Sequence, residues 1–335
     1  MDLKTTYMGI ELKNPLIVGA CEMTADINMV KNMEEAGAAA IVYKSLFEEQ
    51  IHLEAAELDD DLHEYDDRNA EMITLFPSID HSGPKAFLMK LKDLKAAVSI
   101  PVIASLNCVY DVSWVEYAQY IEQTGVDGIE LNFYNSVSDS SKSSSDIEKE
   151  QVEILKRVKA AVRIPVSVKL SPFYSNPLNF IRQLDVSGVN GVVLFNRLFQ
   201  PDIDIKAEEL KMPYNLSSKN DNRLSLRYTG LLSGNIHTSI CATNGIHDAE
   251  DMISLLLAGA DVVQVVSVLY KNGIREISTI LENLSAWMKS KGYESIADFK
   301  GKLSKNNLKE PYAYERAQYV DYLMKKKKIL KEYSV

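Results

Sequence analysis

Pro165-Val166-Ser167-Val168-Lys169-Leu170 and, further on, Gly191-Val192-Val193-Leu194-Phe195 are short, β-branched and apolar at nearly every position. Runs of this kind suit parallel strands buried on both faces. The same signal recurs upstream at Leu16-Ile17-Val18, Ala39-Ala40-Ile41-Val42-Tyr43, Pro101-Val102-Ile103-Ala104-Ser105-Leu106 and Gly128-Ile129-Glu130-Leu131. Downstream it returns at Thr238-Ser239-Ile240-Cys241-Ala242-Thr243 and Asp261-Val262-Val263-Gln264-Val265-Val266. Between the runs lie amphipathic stretches, Asn28 to Ala36, Ser113 to Gln123, Ser145 to Val162 and Asp248 to Ala258. Gly37, Gly125 and Gly259 stand at or near the ends of three of them, where glycine stops a helix. Eight strand–helix units predict an α/β fold, a (β/α)8 TIM barrel, in preference to an open doubly wound sheet.

Three insertions interrupt the rhythm: Glu48 to Lys95 after the second strand, Phe133 to Ser144 after the fourth, and Asn196 to Gly234 after the sixth. All leave C-terminal strand ends, the barrel face on which active sites are built. The Ser-rich run after the fourth strand reads as an active-site loop, against a plain linker as the bland alternative. Residues 1–303 are expected to form the barrel, and 304–335 a C-terminal helical extension packed on it or on a partner subunit.

The chain has 335 residues, 37 basic against 47 acidic, for a net charge of −10. An acidic surface repels phosphate backbones, so nucleic acid is not an expected partner. Lys325 to Lys328 read as a solvated helix end. Cys21, Cys108 and Cys241 are far apart, which suits reduced thiols and neither a disulfide framework nor a metal site. Met1-Asp2-Leu3-Lys4 does not resemble a signal peptide, and no run approaches the roughly 18–20 apolar residues of a membrane span. A soluble cytoplasmic enzyme, without membrane or metal partners, is the expectation.

Polar residues punctuate the strand ends: Lys44 and Ser45, Asn107, Asn132, Asn196 and Arg197, then Thr243-Asn244-Gly245, and Ser267. In a barrel these converge on one mouth, where lysines and amides suit a planar, polar, partly anionic ligand. Taken singly, a strand-end lysine is usually solvated and an Asn usually caps a turn. Lys169 is different, because it lies inside a buried strand and requires a partner. The loops after strands seven and eight, with Asn244-Gly245 and Ser267, suit a phosphate.

These motifs, in this order, resemble the dihydroorotate dehydrogenase family, and also the FMN barrel of dihydropyrimidine dehydrogenases, from Asn14-Pro15 to about Leu303. Val42-Tyr43-Lys44-Ser45 resembles the family's Thr-Lys-Ser/Thr motif. Glu130-Leu131-Asn132 resembles the start of its Glu-Leu-Asn active-site loop, and Val168-Lys169-Leu170 its flavin-contacting lysine strand. Leu232-Ser233-Gly234 resembles its Leu-Ser-Gly turn, and Thr243-Asn244-Gly245-Ile246 its phosphate loop. Gly292 to Leu303 is similar to its C-terminal helix signature. The resemblance implies FMN, held by Ala20, Lys44, Ser45, Asn107, Asn132, Lys169, Asn196, Ser233, Gly234, Asn244, Gly245, Val266 and Ser267. It implies a small dihydropyrimidine-like substrate in pyrimidine metabolism, bound by Asn132, Asn196 and Arg197, and a homodimer.

The departures fall on the substrate side. The family's Cys or Ser base position is Asn135, followed by Ser136 and Val137 in place of proline and asparagine. Arg197 stands where a small serine is typical, and the loop expected to carry a substrate Asn reads Met72-Ile73-Thr74-Leu75-Phe76-Pro77. A neutral amide has no useful basicity near pH 7. The catalytic candidates are therefore Asn135, Ser136 (with Tyr134 as a second hydroxyl) and Lys44. Alternatives are an FMN oxidoreductase with another, anionic substrate paired with Arg197, a non-catalytic flavin-binding barrel, and an aldolase-type barrel using Lys169 as a Schiff-base amine.

Overall fold

The computed structural model describes residues 1–48, 84–108, 111–133, 140–198, 201–211, 216–310 and 314–315. Twelve strands lie among them: β1 Thr5–Tyr7, β2 Ile10–Leu12, β3 Leu16–Val18, β4 Ala40–Phe47, β5 Val102–Asn107, β6 Gly128–Asn132, β7 Val166–Leu170, β8 Gly191–Leu194, β9 Asp202–Asp204, β10 Glu209–Lys211, β11 Ser239–Thr243 and β12 Val262–Val265. β3 to β8, then β11 and β12, pair in parallel in that order, and β12 returns to β3 to close an eight-stranded barrel. The expected TIM barrel is the observed fold.

The apolar residues divide by side-chain direction, since neighbours along a strand face opposite ways. Leu16, Val18, Ile41, Val102, Ile129, Leu131 and Val166 belong to the large core between strands and surrounding helices. Ile17, Ala40, Val42, Ile103, Val193, Cys241 and Val262 form a second cluster inside the barrel together with Tyr7, Met8 and Leu12. The last three belong to the β1–β2 hairpin, which the sequence reading passed over. Its two-residue turn has positive φ at both Met8 (56°) and Gly9 (81°), as a mirror-image turn requires. The hairpin plugs the N-terminal end of the barrel. Met8 N donates to Ser239 Oγ at 3.1 Å, and Gly191 and Gly128 leave room for the Tyr7 and Met8 side chains.

Two of the expected insertions contain crossover helices. The segment after β4 includes helix Pro84–Ala97; residues 49–83, with the Met72 to Pro77 loop, lie outside the described residues. The segment after β8 holds the β9–β10 hairpin and helix Arg223–Leu232. Helix Ser144–Ala161 follows β6, its N-cap Ser143 accepting from Asp146 N. Beyond β12, residues 296–310 lie against the barrel helices: Leu303 N donates to Leu257 O and Lys305 N to Gly230 O.

Candidate active site

At the C-terminal end of the barrel, the inward-facing residues change from apolar to polar. Register places Ser105, Glu130 and Ser167 at one level, and Asn132 and Lys169 one step nearer the mouth. Alternation along each strand then aims Asn107, Asn132 and Lys169 at the same opening. Asn107 Nδ2 donates to Asn132 O at 2.8 Å, and Asn196 Nδ2 donates to Asn132 Oδ1 at 2.5 Å. Three strand ends are thereby tied into one amide cluster.

The partner that Lys169 requires is Glu130. Lys169 Nζ lies 3.8 Å from Glu130 Oε1, and the Glu130 side chain is 1% exposed. Gln264 on β12 supplies the second support, donating from Nε2 to Glu130 Oε2 at 2.7 Å. Sequence reasoning gave neither Glu130 nor Gln264 a role. The available signal was a lone polar residue within each apolar strand, since a buried polar group is kept only when it is bonded.

Lys44 and Ser45 sit within β4, which runs four residues past Tyr43. The register with β5 shifts between Tyr43 and Leu46, and such an irregularity re-aims side chains. Lys44 Nζ pairs with Glu22 Oε1 at 2.7 Å, and Ser45 Oγ lies 2.7 Å from Ser105 Oγ. Ala20 follows β3 at the same end, beside Gly19, where a Cβ would come within 3.0 Å of Val266.

The loops after β11 and β12 complete the mouth. Asn244 and Gly245 both have positive φ (72° and 66°), a conformation that Asn tolerates and Gly favours. At Gly245 a Cβ would lie 2.4 Å from Asn222 N, so the position admits only glycine. Asn244 Nδ2 donates to Phe195 O at 2.7 Å. Ser267 Oγ accepts from Ser217 N at 2.9 Å, while Lys271 Nζ donates to Ser217 O at 2.7 Å. Arg197, just past β8, is held by Asp221 Oδ2 at 2.8 Å. Asp221 in turn accepts from Ser218 N at 2.7 Å.

Ser233 and Gly234 do not join this cluster, which corrects their placement. Helix Arg223–Leu232 runs away from the mouth and stops at Ser233, its C-cap; Gly234, with φ of 78°, turns the chain into β11. Ser233 abuts Gly259 and Gly301, and its carbonyl accepts from Asn306 Nδ2. Leu232-Ser233-Gly234 is a helix-stop signal at the N-terminal end of the strands, and the serine that reaches the mouth is Ser217. Asn135, Ser136 and Tyr134 lie outside the described residues. Among those described, no group of three His, Cys, Asp or Glu could hold a metal ion, and no helix is long and apolar enough to cross a membrane.

Comparison with known proteins agrees with this geometry. The family model for dihydroorotate dehydrogenase matches residues 78–288. The chain is 26% identical over 308 residues to a dihydroorotate dehydrogenase B (NAD(+)) catalytic subunit of Thermoplasma acidophilum, covering 90% of this chain and 98% of the relative. It is 26% identical over 298 residues to the protein of that name from Methanocaldococcus jannaschii, covering 86% and 94%. A dihydroorotate dehydrogenase A (fumarate) of Lactobacillus delbrueckii subsp. bulgaricus is 26% identical over 214 residues, 62% of this chain and 69% of that one. The barrel, its polar mouth and the match across most of its strands together show that this chain belongs to the dihydroorotate dehydrogenase family of oxidoreductases.

Proposed function

We propose that the protein is an FMN-dependent dehydrogenase that oxidises the CH–CH bond of dihydroorotate or a related dihydropyrimidine in pyrimidine metabolism, as a cytoplasmic homodimer. The observation that carries this reading is the convergence of Lys169, Asn107, Asn132 and Asn196 at one barrel mouth, with Lys169 held against buried Glu130. These groups suit a flavin. Amide donors and acceptors match the edge of a planar heterocycle, and a lysine balances its negative charge. The left-handed backbone at Asn244-Gly245, where a side chain at Gly245 has no room, suits a cradle for a phosphate.

Bound FMN would supply a two-electron acceptor beside the substrate ring. Lys44, Lys169 and Ser267 would hold it, together with the Asn244-Gly245 backbone. Asn132 and Asn196 would orient the pyrimidine edge. Removal of a proton from the neighbouring substrate carbon needs a base that the Asn135 amide does not provide, which leaves the hydroxyl of Ser136 or Tyr134. A missing general base costs about 10²–10⁴ in rate, so slow turnover of dihydroorotate is expected. A second reading, a different anionic substrate, is favoured by Arg197, which Asp221 fixes beside Asn196.

The purified protein should be yellow and release FMN on denaturation. Anaerobic mixing with dihydroorotate should bleach the visible flavin band slowly, and Asn135→Cys should raise that rate at least about 10²-fold. Absence of bleaching at saturating substrate in both proteins would sink dihydroorotate as the substrate. Light scattering reports the mass of the assembly.

A further inference from the structure

Beside the amide cluster, on the side of helix Arg223–Leu232, lies an open cavity of about 700 Å³. Three guanidinium groups line it: Arg197, Arg223 and Arg227. Its only lining carboxylate among the described residues is Asp221, already engaged by Arg197 and by Ser218. Arg223 donates to Asn220 Oδ1 at 3.2 Å and Arg227 to Tyr314 O at 3.1 Å. Among the described residues, neither of these two charges meets a carboxylate.

The placement is unfavourable for the protein by itself. Arg223 is the first residue of its helix, where the backbone dipole repels a cation. Arg227 stands one turn further on, and like charges at that spacing repel. On a chain of net charge −10, this is a local excess of positive charge facing a cavity. Such a cluster suits an anion supplied from outside. Two guanidiniums that meet no carboxylate among the described residues match the dianion of a phosphate monoester near neutral pH, and the planar fork of arginine suits its oxygens. The rim is apolar, with Phe173 71% and Leu224 43% exposed, and the cavity reaches Asn196 at the mouth. Its volume falls in the range of small-molecule pockets, well beyond one planar ring.

We propose that this cavity is a phosphate-monoester subsite, where a nucleotide-sized pyrimidine ligand sets its phosphate on Arg223 and Arg227 with its ring toward Asn196. The inference rests on the reading of the mouth as a pyrimidine site and extends it to a larger substrate class. Arg197, anchored by Asp221, forms the wall between ring and phosphate.

Calorimetric titration of the flavin-saturated protein with uridine 5′-monophosphate, uridine, orotate and inorganic phosphate tests this. Uridine 5′-monophosphate should bind at least about tenfold more tightly than uridine, and inorganic phosphate should compete with it. In the Arg223→Gln/Arg227→Gln variant this preference should vanish, while affinity for uridine and FMN stays unchanged. Both side chains are exposed, so the variant should keep the parent melting profile. Equal affinity for the nucleotide and nucleoside, or a preference that survives in the variant, would overturn the proposal. So would loss of FMN by the variant, which would make the cavity the seat of the flavin's own phosphate. A variant that loses orotate binding alone would show a carboxylate subsite and overturn the phosphate assignment. If dihydroorotate still bleaches the flavin while the nucleotide shows no preference, this inference alone fails. If the protein as purified holds no flavin yet shows the arginine-dependent preference, the dehydrogenase reading fails and the subsite stands.

Discussion

Glu130 is a carboxylate with 1% of its side chain exposed, in a strand whose other inward-facing residue at the mouth is Asn132. It is tolerable there because Gln264 donates to one oxygen and the Lys169 ammonium stands 3.8 Å from the other. Removing one member of a buried pair strands the other, which typically costs about 3–5 kcal/mol. Lys169 is 13% exposed and its contact is long, so Glu130→Gln should lose about 3 kcal/mol, at the low end of that range. A urea melt checks it. If the loss arises from an uncompensated charge, adding Lys169→Met should recover much of it, a coupling that a double-mutant cycle reads directly. Additive losses would mean that the two side chains act separately. This pair also shows how far the residues themselves are legible. The buried lysine announced the need for a partner, but the partner sits on a neighbouring strand at a register that the linear sequence does not display.

At the scale of elements, the segment Ser218 to Asn222 is a single 3-10 turn clipped onto the mouth by Asp221. Burial pushes the Asp221 carboxyl up, but the bonds from Ser218 and the charge of Arg197 outweigh it and hold it below the ordinary 3.8. A depressed carboxyl contributes its stabilisation in full above the unfolded value and loses it as pH falls through the folded one. The clip should therefore be intact at neutral pH and weaken only as pH falls below the ordinary 3.8, through the lower folded value. Protection of the Ser218 amide, measured against its intrinsic exchange rate at each pH, is expected to fall there, and Asp221→Asn should lose that protection at neutral pH. Exchange that ignores both changes would count against the clip. The elements explain which expectations transferred. Strands were readable because burial on both faces makes them apolar throughout. Helices Pro84–Ala97 and Arg223–Leu232 disappeared into long insertions because polar loops and a hairpin separate them from their strands. Leu232-Ser233-Gly234 misled because the same residues that make a tight turn at a strand end also end a helix.

Across the whole molecule, stability and chemistry occupy opposite ends of the barrel. Tyr7 is 1% exposed among the interior apolar residues, on the hairpin that closes the N-terminal end. Burial pushes its hydroxyl well above the ordinary value of 10.0, with the charge of Glu130 adding to the effect, so it stays protonated near neutral pH. Tyr7→Ala empties a core aromatic site and should cost about 3–5 kcal/mol. A melt should show that loss while FMN affinity, measured below the transition, is retained. Loss of FMN without loss of stability would contradict the division. That division was only partly legible: the barrel followed from eight apolar runs, but the plug is a three-residue strand pair too short to carry a period.

The plug also gives the barrel a direction. With Tyr7 and Met8 packed into one end of the cylinder, among Ile17, Val42 and Val193, that end of its interior is taken up by core packing, and the eight strands present their chemistry from the opposite rim.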